Sequence, residues 1–323
     1  MRIGVLGAGR VVSYGLLQPA KATPSIEVAA VASRSPDRAK AFAAQHGIPR
    51  AHDSYAALLA DPALDAVYVA LPPALHPTWV RAALDAGKHV LCEKPLAPNA
   101  SVAQELVSFA RERSRVLQEG MHIRFMNKLQ RQRELVASGD FGHMTRIEAC
   151  FRLPKVPMAP GDFRLDYALG GGAGLDIGCY AASALLFIAG ERAEATRASS
   201  RLAAPNVDRW MRAEIRLVSG VPGSCECGFR GWYRRRLDVR VDCEKGRIEW
   251  DDAGLVYRQD GRRVREPVQE VWTYQRQLDA FARRCRGEAS YGPINDEAVD
   301  TARLVDSMYA AAGLALRQPL ELP

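Results

Sequence analysis

The sequence predicts an α/β chain with two parts. The first is an amino-terminal Rossmann-type, doubly wound parallel sheet; the second is a carboxyl-terminal α+β region on a large, mostly antiparallel open sheet. Three observations carry this. Short apolar runs alternate with helical segments from Arg2 to Glu119, the order a parallel sheet requires because each crossover needs a helix. A glycine loop, Gly7-Ala8-Gly9, follows the first apolar run at once. From Thr196 to Gln259 the pattern changes to short alternating segments such as Arg212-Ala213-Glu214-Ile215-Arg216-Leu217-Val218 and Leu237-Asp238-Val239-Arg240-Val241. Such strands have one covered and one polar face. The 323 residues suit two domains of roughly 150 each, divided as 1–120 and 121–323.

Composition narrows the class. At 48% hydrophobic and 25% charged residues, the chain is globular rather than disordered. It has no apolar run of the roughly 18 residues a membrane helix needs, so no membrane partner is expected. Met1 to Gly7 runs straight into a strand and loop, leaving no room for a signal peptide; the expected location is cytoplasmic. The seven cysteines (92, 150, 179, 225, 227, 243 and 285) have no metal or disulfide spacing and read as buried reduced thiols. No metal is expected. The net charge of +7 suits an anionic cofactor or substrate, or only a basic surface. Without a zinc finger, helix-turn-helix or aromatic RNA-binding signature, nucleic acid is not an expected partner.

In chain order, Arg2 to Leu6 is a buried strand, and Gly7-Ala8-Gly9-Arg10-Val11-Val12 is a dinucleotide loop with its sixth position altered. Gly7 allows the tight turn and Gly9 lets backbone N–H groups approach a pyrophosphate at a helix start. Val12 replaces the glycine that usually lets helix pack closely on strand, which puts strain on that packing. A second strand, Val28 to Ala32, is followed by Ser33-Arg34-Ser35. An acid there would hold the ribose hydroxyls of NAD, whereas an arginine meets the 2′-phosphate of NADP. NADP is therefore the expected cofactor, with NAD as the alternative. The cofactor candidates here are Gly7, Gly9, Arg10, Val11, Ser33, Arg34 and Arg38. Ser35-Pro36-Asp37 caps a helix that runs to about Gln45. A short helix from Ser54, the strand Ala66 to Ala70, the loop Leu71 to His76 and the helix Trp79 to Ala86 come next.

The strand Lys88 to Cys92 ends in Glu93-Lys94-Pro95. Open α/β sheets place ligands outside the carboxyl ends of their strands, so Lys94 is poised for a substrate hydroxyl or a cofactor. The plain alternative is a solvated strand-end lysine. Its bond to proline can also be cis, at about 1 kcal/mol.

Asn99 caps a helix to about Arg113, Arg115 to Glu119 is the last strand of this region, and a helix spans about Leu129 to Val136. The strand Met144 to Phe151 opens the second part. A loop with Pro154, Pro157 and Pro160 leads to Asp162-Phe163-Arg164. Gly170-Gly171-Gly172-Ala173-Gly174-Leu175-Asp176 then permits tight backbone approach before a helix to about Ala189. Asp176 and Tyr180, four apart, share a helical face; alone they would be a helix-start acid and a core tyrosine. Arg230 to Arg236 is either an anion site, for instance for a nucleotide sugar, or a solvated or interface loop. Helices over 271–286 and 295–316 close the chain, the latter capped by Asn295 and packing back toward the first domain.

The run Ala86-Gly87-Lys88-His89-Val90-Leu91-Cys92-Glu93-Lys94-Pro95-Leu96 resembles the central signature of the Gfo/Idh/MocA family, the glucose–fructose oxidoreductase, inositol dehydrogenase and rhizopine-catabolism enzymes. The amino half most resembles its dimeric dihydrodiol dehydrogenase and NADP-dependent xylose dehydrogenase branches. The resemblance implies that Leu71, Pro72 and His76 lie near the nicotinamide, with Pro73 where asparagine is usual, and that Glu93 and Lys94 also face the cofactor. Gly120 to Phe125 is similar to a family segment in which Arg124 meets substrate; His122 is a neighbouring candidate, though an isolated histidine is more often structural. Arg164 keeps the cation of a family Asn-Trp-Arg segment. Lys94, Asp176 and Tyr180 are implied to meet over the nicotinamide.

The implied reaction moves hydride between nicotinamide and a sugar, polyol, keto-sugar or cyclic diol carbon. Tyr180 or Lys94 would exchange the hydroxyl proton, Asp176 would orient, and Lys94 would depress the tyrosine pKa. The resemblance also implies a homodimer or homotetramer joined through the open sheet. Two alternatives stand beside this reading: a glycosidase of the same fold using bound NAD, and a non-catalytic dinucleotide-binding regulator.

Overall fold

In the computed structural model the described residues are 1–154, 158, 161–231, 236–259, 261–289 and 295–320. The first sheet has six parallel strands: β1 (Arg2–Leu6), β2 (Glu27–Ala32), β3 (Arg50–His52), β4 (Ala66–Val69), β5 (His89–Cys92) and β6 (Leu117–Glu119). Their order is β3-β2-β1-β4-β5-β6, the doubly wound order in which direction reverses between β1 and β4. β1, β4 and β5 are buried almost throughout, as strands covered on both faces must be.

The crossovers begin with α1 (Arg10–Val12), a π-helical turn (Ser13–Leu17) and α2 (Gln18–Lys21). The next are α3 (Pro36–His46), α4 (Tyr55–Leu59), α5 (His76–Asp85) and α6 (Ala100–Glu112). Side chains cap three of them: Ser35 accepts from Arg38 N, Ser54 from Ala57 N and Asn99 from Val102 N. Each cap satisfies an N–H that has no partner inside its helix.

The second sheet has eight strands in the order β14-β13-β12-β11-β7-β10-β9-β8. They are β7 (Met144–Pro154), β8 (Ala193–Ala204), β9 (Val207–Leu217), β10 (Pro222–Gly231), β11 (Arg236–Cys243), β12 (Gly246–Trp250), β13 (Gly254–Gln259) and β14 (Arg262–Pro267). β7 and β10 run parallel and the other pairs antiparallel. Along β9, Met211, Ala213, Ile215 and Leu217 are buried while Arg212, Glu214 and Arg216 are exposed. The buried face is covered by α7 (Asn127–Ala137) and the almost entirely buried α8 (Cys179–Ala189). Cys225 and Cys227 are buried on that face, and all seven cysteines are free.

Two late helices return to the first sheet. α9 (Thr273–Cys285) sets Leu278, Phe281 and Ala282 among Ile3, Val5, Tyr68 and Leu91. α10 (Asn295–Ala311) gives Ala298 and Val299 to the core around α6, and Leu304, Val305, Met308 and Tyr309 to the core under the second sheet. The helix expected to reach Leu316 stops at Ala311, just before Gly313, and residues 314–320 run on without regular structure. No helix among the described residues is long and apolar enough to cross a membrane. The middle of the basic run, 232–235, lies outside the described residues, as do Pro157, Pro160 and the Asn295 side chain.

Candidate active site

Hydrogen bonds carry the parallel register one residue past the strands. Gly7 N–H donates to Ala32 O (2.9 Å), Ala70 N–H to Leu6 O (2.9 Å), Glu93 N–H to Val69 O (2.9 Å) and Gly120 N–H to Cys92 O (2.6 Å). The glycine loop, Ser33, the loop from Leu71 and the Glu93–Lys94 turn therefore leave the sheet side by side. They flank the β1/β4 reversal, where an open sheet leaves its crevice.

Gly7 has φ of 105°, and a Cβ there would lie 2.5 Å from Ala70 O; no other residue fits. A Cβ at Gly9 would meet nothing within 4 Å, so the backbone in front of α1 faces open space. Val12 is fully buried beside Ile3 and Val5, and the close approach of helix to sheet falls instead on Gly15. A Cβ at Gly15 would lie 2.9 Å from the Tyr68 hydroxyl. The packing problem expected at Val12 is thus met three residues later, inside the π-helical turn. Val11, in α1, is half-buried. Ser33 Oγ accepts from Ser35 N–H (3.3 Å), and Arg38 Nη2 donates to Ala8 O (3.0 Å). Arg38 therefore ties α3 to the glycine loop, while Arg10 and Arg34 stand exposed beside it.

At the end of β5 the Lys94–Pro95 bond is cis. Buried Glu93 accepts a hydrogen bond from the Tyr68 hydroxyl; burial raises its pKa, against the opposing pull of Tyr68 and Lys94. Lys94 Nζ donates to Asp176 O (2.5 Å) and Oδ1 (2.9 Å). Arg164 Nε donates to the other carboxylate oxygen, Oδ2 (2.7 Å). Burial alone would push Asp176 up, but Lys94 and Arg164 hold it below the usual carboxylate range. Burial alone would pull Lys94 down, but Asp176, Cys179 and Glu93 hold it above the usual lysine range. The result is an ammonium and a carboxylate, both nearly dry and both charged.

Lys94 Nζ lies 4.7 Å from the Tyr180 ring centroid, against the ring face. Tyr180 in turn meets His122 (5.6 Å) and Phe151 (5.4 Å) edge-on. His122 stacks on Tyr274 at 4.0 Å, its Nδ1 2.8 Å from Thr273 Oγ1, and Tyr274 meets Tyr14 at 5.6 Å. A row of rings thus runs from the helix after the glycine loop to Lys94. Asp176 sits in a second π-helical turn, Gly174–Gly178. Both glycine loops lead into such a turn, a geometry frequent at functional sites.

Two of the expected site residues are buried and engaged within the protein. Arg124 is only 2% exposed; it donates to Ser183 Oγ (2.7 Å) and Thr301 Oγ1 (3.3 Å) and pairs with Glu297 (2.6 Å). These contacts engage its guanidinium in joining α8 to α10. His76 is fully buried, Nδ1 2.9 Å from Pro95 O and Nε2 2.8 Å from Leu71 O. It links the loop after β4 to the Lys94–Pro95 turn. Burial lowers its pKa to about 4, and a neutral ring donates to only one of those carbonyls. Leu71 and Pro72 remain partly exposed at the crevice.

Sequence reasoning missed Tyr68, Glu119, Tyr14 and Tyr274. Glu119 Oε1 accepts from Leu96 N–H (2.9 Å) and steadies the turn beyond Pro95. None of the four belongs to a motif; each arrives by packing between distant segments.

Comparison with known proteins matches both parts of the fold. A family model described as "Oxidoreductase family, NAD-binding Rossmann fold" matches residues 1–121, and the "GFO/IDH/MocA C-terminal domain" matches 129–249. The chain is similar to D-xylose 1-dehydrogenase (NADP(+)) 2 of Haloferax volcanii, 36% identical over 323 residues, 97% of each chain. It is also similar to dTDP-3,4-didehydro-2,6-dideoxy-alpha-D-glucose 3-reductase of Saccharopolyspora spinosa, 36% identical, covering 78% of this chain and 75% of that one. Among solved structures, KijD10, a 3-ketoreductase from Actinomadura kijaniata in complex with NADP and TDP-benzene, superposes with a TM-score of 0.87 at 27% identity. That match covers 96% of this chain and 97% of the other.

Proposed function

The chain belongs to the oxidoreductase family with the NAD-binding Rossmann fold and the GFO/IDH/MocA carboxyl-terminal domain, and on that basis we propose an NADP-preferring dehydrogenase or reductase of a sugar, keto-sugar, polyol or cyclic diol. The observation that carries this reading is the Lys94–Asp176 pair at the carboxyl end of β5, beside the crevice of the parallel sheet. NADP-linked names among the similar proteins support the cofactor, and their sugar-like substrates support the substrate class.

The residues present fit the cofactor. Open space before Gly9 and the turn at Gly7 suit a pyrophosphate at the start of α1. Arg34, with Ser33 and Arg10, suits a 2′-phosphate, and Leu71, Pro72 and Glu93 border the crevice on the nicotinamide side. Bound NADP supplies the hydride acceptor in the oxidative direction and the donor in the reductive one.

The chain's own residues handle the proton and the charge. Lys94, kept charged by Asp176, stabilises negative charge on the reacting oxygen. Its firm protonation favours Tyr180 as the group that exchanges the proton. Asp176 orients Lys94, and the exposed edge of Arg164 is placed to meet a substrate hydroxyl. In this reading 1–120 carries the cofactor, 121–323 shapes the substrate site, and the enzyme is cytoplasmic. The polar face bearing Arg212, Glu214 and Arg216 would join copies into a dimer or tetramer, which light scattering after size exclusion would count.

A nicotinamide-absorbance screen of NADP and NAD against pentoses, hexoses, inositols, keto-sugars and dihydrodiols tests the function. Turnover with NADP is expected. Tight NADP binding without turnover would favour a regulator, and sugar release without net reduction would favour a glycosidase.

A further inference from the structure

Asp176 is delivered by a glycine-rich turn that a separate, fully buried cluster grips from behind. Asp208 Oδ2 accepts from Gly174 N–H (2.7 Å), and Tyr309 Oη accepts from Leu175 N–H (2.9 Å). Tyr309 donates to Asp208 Oδ1 (2.9 Å), which also takes Arg317 Nη2 (3.2 Å). Arg317 Nε donates to Gly171 O (3.0 Å), and Asp176 N–H closes the turn on Gly172 O (3.0 Å). Gly172 has φ of 121°, and a Cβ there would lie 2.7 Å from Arg317 Nη2. The turn is therefore fitted to the cluster, leaving no slack between them.

Arg317 does not come from α10 but from the segment 314–320 beyond it. That segment also holds the other side of the site. Asn99 Nδ2 donates to Arg317 O (2.8 Å), Tyr167 Oη to Leu316 O (2.7 Å), and Leu320 N–H to Ala74 O (2.9 Å). Asn99 caps α6, and Ala74 lies in the loop between Leu71 and His76. One short stretch thus touches the loop beside the crevice, the cap of α6 and the turn bearing Asp176. The Arg317 and Asp208 side chains are 0% exposed. A buried ion pair is a weak source of stability compared with apolar residues of the same shape, and its best-attested use is to fix register.

We propose that Arg317, Asp208 and Tyr309 form a positioning clamp through which the carboxyl-terminal segment sets Asp176 against Lys94. This rests on the reading of Lys94 and Asp176 given above. The clamp touches neither Lys94 nor the crevice; it acts through the turn. The charged and titratable groups around Lys94 are Asp176, Tyr180, Glu93, Cys179, Glu119, His76 and Tyr274. Of these, the clamp holds the backbone that carries Asp176.

Tyr309→Phe keeps the ring and removes one donor and one acceptor. The expected result is NADPH binding within twofold of wild type and a fall in kcat of about tenfold. The pH profile of kcat/KM should move in the same direction as that of Asp176→Asn, with no further loss when Tyr309→Phe is added to Asp176→Asn. Wild-type kcat and pH profile in Tyr309→Phe, or a loss that adds fully to Asp176→Asn, would overturn the clamp. If Tyr309→Phe fails to fold, Arg317→Lys carries the same test. Failure of both to fold would assign the cluster to folding alone and overturn the proposal. Full turnover in Lys94→Ala would instead remove the functional reading itself. The clamp alone fails if Lys94→Ala is inactive while Tyr309→Phe behaves as wild type.

Discussion

Lys94 and Asp176 meet twice, through the carboxylate at 2.9 Å and through the main-chain carbonyl of the same residue at 2.5 Å. Eighty-two positions separate them, and they come from different sheets' surroundings. The double contact makes Lys94 a fixed charge whose position depends on the Asp176 turn.

Asp176→Asn removes the charge that outweighs burial at Lys94. The Lys94 titration should then fall, because burial disfavours the ammonium once its partner is neutral, and the alkaline limb of the kcat/KM profile should move to lower pH. Turnover should drop about a hundredfold. The stability signs are opposite for the two partners. The raised Lys94 contributes fully below the ordinary lysine pKa and loses its contribution as pH rises through its folded value. The depressed Asp176 contributes above the ordinary carboxylate pKa and loses its contribution as pH falls through its own. Thermal melts of the variant across acid and alkaline pH should therefore be flatter at both ends than those of the wild type.

Arg34→Ala should weaken NADPH about ten- to a hundredfold, the worth of a charge-assisted hydrogen bond, while NADH is unchanged. Fluorescence titration of both dinucleotides measures this. Equal NADPH affinity in the variant would remove Arg34 from the 2′-phosphate site.

Arg124→Met should cost about 3–5 kcal/mol of stability by leaving Glu297 unpaired beside a buried site. In the folded fraction, the KM for substrate should stay within about twofold. A large rise in KM with normal melting would place Arg124 in the substrate site.

Asp306 accepts from Ala100 N–H at the start of α6 (2.8 Å), and burial raises its pKa from 3.8 to about 6. A raised carboxyl contributes stability below its unfolded pKa and loses it as pH rises through about 6. Asp306→Asn keeps the acceptor without the charge. It should match the wild type in melting near pH ~4 and exceed it by about 1–2 kcal/mol near pH ~7.5, after allowance for partial solvent exposure. Equal melting at both pH values would contradict the burial argument.

Much of this was legible in the residues. The alternation from Arg2 to Glu119 led to the parallel sheet, and capping residues such as Ser35, Ser54 and Asn99 marked helix starts because a cap is a local event. Glu93-Lys94-Pro95 and Asp176 stood out because strand-end position and glycine spacing are written in the sequence. The helix expected to continue to Leu316 stops five residues earlier because Gly313 breaks it, and the segment beyond is held by tertiary partners. The burial of Arg124 and His76 was not legible, because a motif gives a residue's address and not which partners its side chain meets. Tyr274 and Arg317 were invisible for the complementary reason: α9 and the carboxyl-terminal segment reach the site only by packing across long separations. The shift of close packing from Val12 to Gly15 depends on a π-helical turn that no local pattern announced.

The most direct test is steady-state turnover of Lys94→Ala, measured with NADP on whichever substrate the screen identifies, alongside NADPH binding. The expected result is retained binding with turnover reduced about a thousandfold or more. Near wild-type turnover with intact binding would contradict the assignment of Lys94 to the chemistry.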